Sequence, residues 1–133
     1  MDNLYKNLLE QAKEASKLSY SPYSNFPVGA CVLFESQKVY SACNIENASY
    51  GLSICAERNA IAKAISEKET SKITAIAIYS PKQKRCMPCG ACRQWLCEFA
   101  INGDLKIILE NTEGEIETLT LDEIFPHSFK LDE

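Results

Sequence analysis

Three cysteines and one acid, in two short motifs, are the residues of this chain whose types and spacing could do chemistry. The first motif is CAE, which runs from Cys55 to Glu57, and the second is PCGAC, which contains Cys89 and Cys92. Thiolates are good ligands for Zn²⁺, and three protein ligands leave a tetrahedral ion with one open position. That position can hold a water whose pKa falls from about 15.7 to about 7. The spacing therefore predicts a catalytic metal site with these three cysteines as ligands and Glu57 as the proton carrier.

The elements that must position these residues follow from the apolar periodicity. Helical spacing occurs at 4–18, 55–66, 90–100 and 121–125, and strand patterns occur at 28–34, 38–43, 73–79, 105–109 and 115–119. This order predicts a mixed sheet with helices on both faces. Both cysteine motifs come at the start of a predicted helix, where the positive end of the helix dipole favours thiolate over thiol.

Composition and charge narrow the class of protein. A chain of 133 residues is long enough for one domain with a core, so we predict a single domain over 1–133. The net charge of -4 and the lack of a basic run argue against a nucleic-acid partner. We find neither an apolar signal segment nor the roughly 18 apolar residues that a membrane span needs. Seven cysteines is an odd number that favours reduced thiols over disulfides, so we expect a cytoplasmic protein.

Five stretches of the chain match one known family. They are PYSNFPVGA at 22–30, NIENA at 44–48, CAER at 55–58, PCGACRQ at 88–94 and FPHSF at 125–129. An acid two positions after a cysteine, followed later by Pro-Cys-x-x-Cys, also occurs in zinc-dependent nucleobase deaminases. The chain resembles the small, homotetrameric cytidine deaminases that have a three-cysteine zinc site. The resemblance implies a three-layer α/β/α sandwich around a mixed sheet of about five strands.

The resemblance also implies a reaction and a set of site residues. The reaction would be zinc-dependent hydrolytic deamination of cytidine and 2′-deoxycytidine to uridine and 2′-deoxyuridine in pyrimidine salvage, with release of ammonia. The partners would be the nucleoside and three further copies of the chain, in a homotetramer with shared active sites. The residues implied to bind substrate are Phe26 against the nucleoside, Asn44 and Glu46 at the ribose hydroxyls, Ala56, and, in a neighbouring subunit's pocket, Ala48, Tyr50 and Phe129.

Arg58 is predicted to act next to the metal. Zn²⁺ with three thiolates is a net monoanion, which weakens its pull on a bound water. A guanidinium beside Cys55 could return positive potential to the site. The alternative is an ordinary cation on the surface of the helix.

Other interpretations of the cysteines and of the function stay open. Cys86, Cys89, Cys92 and Cys97 could form a four-thiolate iron–sulfur or structural zinc site, although this leaves Cys55 and Glu57 without a role. The function could be deamination of a cytosine aminonucleoside antibiotic of the blasticidin S type, of deoxycytidylate or of a polynucleotide. A non-catalytic, metal-stabilised binding module is the alternative outside the enzymes.

Several residues outside the motifs are predicted to be structural. Free cysteine is among the most buried residue types, and the helix at 90–100 needs a core face. The residues expected to fill the core for these reasons are Cys31, Cys43, Cys97, Trp95, Leu96 and Phe99. His127 is expected to serve at the surface or in packing.

Overall fold

The computed structural model describes residues 2–131. In chain order its elements are α1 (Asp2–Ser16), β1 (Gly29–Phe34), β2 (Val39–Cys43), a 3₁₀ turn (Tyr50–Leu52), α2 (Ala56–Ser66), β3 (Ile73–Tyr79), α3 (Gly90–Phe99), β4 (Lys106–Glu110), β5 (Ile116–Thr120) and α4 (Leu121–Ile124). Every helix and strand predicted from the sequence is present, and the 3₁₀ turn was not predicted.

The strands form one mixed sheet in the order β2-β1-β3-β4-β5. β3 and β4 are parallel, and the other neighbouring pairs are antiparallel. The parallel pair needs a crossover, which α3 supplies between β3 and β4. The predicted mixed sheet of about five strands is confirmed.

Helices cover both faces of this sheet because alternate residues of the central strands point to opposite sides. In β1, Val32 and Phe34 belong to the core cluster with α2, α3 and α4, whereas Cys31 and Leu33 pack with α1. Gly29 lets α1 approach the sheet closely, because a Cβ there would lie only 1.9 Å from a backbone oxygen of α1. The result is a three-layer arrangement with α1 alone on one face.

The structure shows that some of the predictions of core residues are wrong. Trp95 is 39% exposed, because α3 buries Cys92 and Leu96 while Trp95 lies at the edge of that stripe against Phe99, which is half-buried. Cys31 is fully buried as predicted, and burial raises the pKa of its thiol to about 12.

Cys43 and Cys97 are only half-buried rather than core. Cys43 ends β2, an edge strand of the sheet, and Cys97 packs at the margin of the larger core cluster. Among residues 2–131, no helix is both long and apolar enough to cross a membrane.

Candidate active site

The starts of α2 and α3 position the three predicted ligands. Cys55 and Cys89 are the residues immediately before α2 and α3, with extended backbone angles, and Cys92 lies in the first turn of α3. Neither Cys55 nor Cys89 uses its side chain to cap its helix. Two helix N-termini with partial positive charge therefore present their sulfurs to one place.

The sulfur positions fit zinc. The Sγ atoms of Cys55 and Cys89 lie 3.7 Å apart, those of Cys89 and Cys92 lie 3.5 Å apart, and all three are within 4.8 Å of one another. Two thiolates at about 2.3 Å from a tetrahedral zinc are about 3.8 Å apart, so only small adjustments would be needed. In the part of the chain that the structure describes, this is the one such group of three ligands, and Cys86 and Cys97 lie outside it. The four-thiolate alternative is therefore not supported.

The electrostatics favour a thiolate at Cys55. The neighbouring Cys92 thiol, together with the hydrogen bond from Arg58, lowers the pKa of Cys55 to about 5. The closeness of Cys55, together with burial, raises the pKa of Cys92. One sulfur of the group is thus ionised at neutral pH, which is the form that binds a metal.

Glu57 is buried directly beside this sulfur group. The side chain is 4% exposed, and this loss of solvent is the main reason why its pKa rises to about 7. The negative charge of Cys55 raises the pKa further. A carboxyl group in this environment can both accept and donate a proton near neutral pH.

Arg58 directs its guanidinium at the sulfurs. Its Nη2 donates to Cys55 Sγ at 3.3 Å, and its Nε is buried without a hydrogen-bond partner among residues 2–131. Interaction with the sulfurs raises the pKa of Arg58 above its already high value. The contact with Cys55 matches the predicted place for Arg58 beside the metal ligands.

Backbone pairing brings the predicted ribose-binding segment next to Cys55. Ile45 and Ile54 exchange two backbone hydrogen bonds in an antiparallel bridge, at 3.0 and 2.9 Å. Asn44 and Glu46 flank Ile45 in the sequence, while Cys55 follows Ile54. Two motifs that are separate in the sequence therefore meet at one end of the sheet.

The carboxylate of Glu46 is held by the turn that precedes Phe26. Its Oε1 accepts from the backbone N–H groups of Tyr23 at 3.0 Å and Ser24 at 3.1 Å, and its Oε2 accepts from Ser24 Oγ. These bonds, the Ser24 hydroxyl first, lower the pKa of Glu46. Glu46 also lines a cavity of about 260 Å³ with Tyr23, Ser24, Tyr50 and Ser53.

The side-chain amide of Asn44 forms hydrogen bonds with the same loop. Its Oδ1 accepts from Val28 N at 2.9 Å and from Ser19 Oγ, and its Nδ2 donates to the carbonyl of Phe26 at 2.9 Å. Asn44 therefore fixes the backbone around Phe26, whose ring is half-buried. One amide hydrogen of Asn44 is left for another acceptor.

The remaining residues predicted to contact substrate lie in different parts of the structure. Ala56 is fully buried as the first residue of α2. Because the first backbone N–H groups of a helix have no partner within the helix, the N–H of Ala56 can donate a hydrogen bond to a ligand. Tyr50 is 74% exposed but lines the Glu46 cavity of its own chain. Ala48 is exposed, and Phe129 is 67% exposed with its carbonyl bound to Gln94 of α3 at 2.9 Å.

The sequence patterns do not reveal the role of Ser24, and they present Cys86 only as a possible metal ligand. Ser24 lies inside a recognised stretch, but the pattern alone does not show that its hydroxyl reaches Glu46, 22 positions away. Cys86 was considered only as a metal ligand. It packs against the core, and burial, with smaller effects from Glu57 and Cys55, raises its pKa to about 11.

Comparison with known proteins agrees with this geometry. The family model described as "Cytidine and deoxycytidylate deaminase zinc-binding region" matches residues 2–105. A cytidine deaminase of Sporosarcina psychrophila is 41% identical over 93% of this chain and 90% of that protein. One from Halalkalibacterium halodurans is 43% identical over 92% of this chain and 91% of that protein.

A solved structure shares the fold. The crystal structure of a cytidine deaminase from Burkholderia pseudomallei is 38% identical and superposes with a TM-score of 0.84 over 93% of this chain and 98% of that chain. The predicted three-layer α/β/α sandwich is thereby confirmed. With the sulfur geometry, the family match also confirms Zn²⁺ as the cofactor. On these findings, the chain belongs to the cytidine deaminase family.

Proposed function

We propose that this chain catalyses hydrolytic deamination of cytidine and 2′-deoxycytidine, giving uridine or 2′-deoxyuridine and ammonia. The observation that carries the proposal is the buried Glu57 carboxyl beside three converging cysteine sulfurs. Cys55, Cys89 and Cys92 would hold the zinc. When bound there, Zn²⁺ would lower the pKa of a water in its open position.

Glu57 would carry the protons of the reaction. It would first accept a proton from the attacking water, whose oxygen forms a bond to C4 of the pyrimidine, and give a proton to N3. It would then take the remaining proton and deliver it to the amino group, so that the C4–N4 bond breaks and ammonia leaves. A carboxyl group can alternate between base and acid because each step returns the form that the next one needs.

Arg58 would limit the negative charge of the sulfur group. Its hydrogen bond to Cys55 removes electron density from one thiolate and adds a positive charge beside the site. This would let the metal polarise a water more strongly than three unassisted thiolates would allow.

At the other end of the site, the loop contacts support binding of the sugar. Glu46 has both oxygens fixed by the turn and stays anionic, which suits it to accept hydrogen bonds from ribose hydroxyls. Asn44 would add its remaining amide hydrogen, Phe26 would pack against the nucleoside, and Ala56 would contribute its backbone N–H.

The charge of this region supports a free nucleoside as the substrate. Of the five residues that line the Glu46 cavity, Glu46 is the one acid and none is a cation. A 5′-phosphate or a polynucleotide would bring further negative charge toward Glu46 without a basic partner there.

An absorbance assay tests the proposed reaction. The purified protein, with its zinc content measured, is mixed separately with cytidine, deoxycytidine, cytidylate, single-stranded DNA and a cytosine aminonucleoside antibiotic. Loss of the near-ultraviolet absorbance of cytidine, with ammonia released in equal amount, is expected for the two nucleosides. Faster turnover of cytidylate or of the antibiotic would contradict the proposed specificity, and no turnover of any substrate would favour a binding module.

We propose a homotetramer with shared active sites as the active form. The exposed aromatic side chain of Phe129 supports this, because a closed symmetric assembly could bury it in a neighbour's pocket and exclude water there. Tyr50, which lines the Glu46 cavity of its own chain, is exposed enough to be covered at the same contact. Ala48 would lie at the same contact. Light scattering should give about four times the mass of one chain, and deleting residues 128–133 should raise KM while the core stays folded. A fully active monomer would refute the assembly.

The organisation and cellular role are likewise proposals. Residues 1–133 would act as one cytidine deaminase domain, supported by a single sheet with cores on both faces. The reaction would serve pyrimidine salvage. All seven cysteines lie in the described part of the chain and none of them forms a disulfide there, which supports a reducing, cytoplasmic location. Fractionation of cells that express the protein would test this location.

A further inference from the structure

A chain of hydrogen bonds runs from the backbone of Phe26 to the carboxylate of Glu46 through one hydroxyl. The backbone N–H of Phe26 donates to Ser24 Oγ at 3.0 Å, and Ser24 Oγ donates in turn to Glu46 Oε2. A serine hydroxyl has one donor and can accept, so both functions of this group are in use. Ser24 is thus the only side chain among these three contacts to Glu46, the others being backbone N–H groups.

From this geometry we propose that Ser24 is a positioning residue that orients Glu46 toward the sugar and thereby sets the preference for a hydroxylated ribose. The inference rests on the proposed function, because it assigns Glu46 to the ribose end of a nucleoside. It adds a residue to that site which the sequence motifs had not singled out.

The two oxygens of Glu46 show why the hydroxyl matters. Oε1 is held by two backbone donors and will stay in place as long as the turn is folded. Oε2 is held by Ser24 alone among the described contacts. Without the hydroxyl, the carboxylate could pivot about Oε1, because one fixed oxygen does not define the plane of the group.

Loss of the hydroxyl should leave the turn itself intact. Ser24 is exposed, so the backbone N–H of Phe26 can find water when its partner is removed. The turn is closed independently by the backbone bond from Asn25 N to Ser21 O at 2.9 Å. A substitution at Ser24 therefore separates the orientation of Glu46 from the folding of the loop.

The test compares Ser24→Ala with Ser24→Thr and with Ser21→Ala, a serine of the same loop whose hydroxyl does not contact Glu46. Cytidine and 2′,3′-dideoxycytidine are the two substrates, and zinc content and melting temperature are measured for each variant. Ser24→Ala should raise KM for cytidine about tenfold, as expected for loss of a hydrogen bond to a charged group, with kcat changed less than about twofold. KM for the dideoxynucleoside should rise less than about twofold.

Two further results complete the test. Ser24→Thr keeps the hydroxyl and should restore KM for cytidine, and in a Glu46→Ala background Ser24→Ala should have almost no further effect. Equal increases in KM for both substrates, a fall in kcat as large as the rise in KM, or a full effect without Glu46 would overturn the role of Ser24 alone. A wild-type chain that fails to turn over cytidine would overturn the proposed function, and the role of Ser24 with it.

Discussion

The two ends of the site are built in different ways, and the two glutamates show the difference. Glu57 lies on the first turn of a helix and is almost fully buried, and this burial raises its pKa to about 7. Glu46 lies in a solvated loop, where hydrogen bonds from a neighbouring turn lower its pKa. On the proposed function, the carboxyl group that would exchange protons is thus kept from water, whereas the one that would remain an acceptor is surrounded by donors.

The supports of the two ends differ as well. Rigid helix starts present the cysteines, while Asn44 and Glu46 are fixed by hydrogen bonds to a loop. Substitutions at the cysteine end should therefore abolish the reaction, and those at the sugar end should change how substrates are selected.

The largest effect is expected at the metal ligands. Cys55→Ala should remove bound zinc and activity together, because two remaining sulfurs cannot hold a tetrahedral ion firmly. Metal analysis and the absorbance assay measure both. The matched control is Cys86→Ala, which lies outside the sulfur group and should keep both properties. Zinc lost from the control but retained by Cys55→Ala would place the site elsewhere.

Glu57→Gln should have the next largest effect. The amide keeps the size of the side chain but cannot carry protons, and each general acid–base step contributes about 10²–10⁴-fold. We expect kcat to fall by about 10⁴-fold or more, while zinc content stays normal. Turnover close to that of the wild type would exclude Glu57 from proton transfer.

At the sugar end, Glu46→Ala should act on selection rather than on chemistry. We expect kcat/KM for cytidine to fall about 10- to 100-fold, as for loss of hydrogen bonds to a charged group, without change in zinc content. Glu98→Ala, an exposed acid on α3, is the control. If zinc were lost with Glu46, the two ends of the site would not be independent.

The smallest effect concerns a third glutamate, which is surrounded by hydrogen-bond donors as Glu46 is, but which is buried, with 8% of its surface exposed. Glu69 accepts hydrogen bonds from Ser71 Oγ at 2.7 Å, Ser36 Oγ at 2.8 Å and Tyr40 Oη at 3.0 Å. These hydrogen bonds lower the pKa of Glu69 from 4.5 to about 2, and the bond from Ser71 has the largest effect. The ionised form is favoured by folding, so its stabilisation is complete above about pH 4.5 and is lost as the pH falls toward about 2.

Glu69→Gln tests this assignment by thermal unfolding at about pH 7 and about pH 3. The variant should be less stable than the wild type at the higher pH, and the difference should shrink at the lower pH, while nucleoside kinetics stay normal. Glu113→Gln, an exposed acid of the β4–β5 turn, should show no such dependence. A difference that grows as the pH falls would give the wrong sign and refute the role.

Local sequence pattern indicates the positions of residues at the cysteine end of the site better than at the proposed sugar end. Cys55 and Cys89 stand at helix starts that are visible from apolar periodicity, so local pattern was sufficient to bring them together in the prediction. The turn at 21–25 depends on Asn25, whose φ of 55° is left-handed, and on bonds to Glu46 more than twenty positions away. Neither the left-handed residue nor the long-range hydrogen bonds produce a periodic pattern of apolar residues in the sequence.

The errors in the fold have a similar origin. The residue type and helical position of Trp95 predict a core side chain, but α3 turns Cys92 and Leu96 into the core and leaves Trp95 beside Phe99 at the edge of that stripe. The 3₁₀ turn at Tyr50–Leu52 has no buried residue and therefore no hydrophobic pattern to reveal it.

The separation of the metal ligands along the chain also affects the stability of the fold. Cys55 and Cys89 are 34 residues apart, and the segment between them contains α2 and the central strand β3. A metal that joins these two sulfurs binds the folded chain more tightly than the unfolded chain, because the unfolded chain would first have to close a long loop to bring the sulfurs together. Zinc should therefore contribute to folding as well as to chemistry, and a chelator should lower the melting temperature of the wild type but not that of Cys55→Ala.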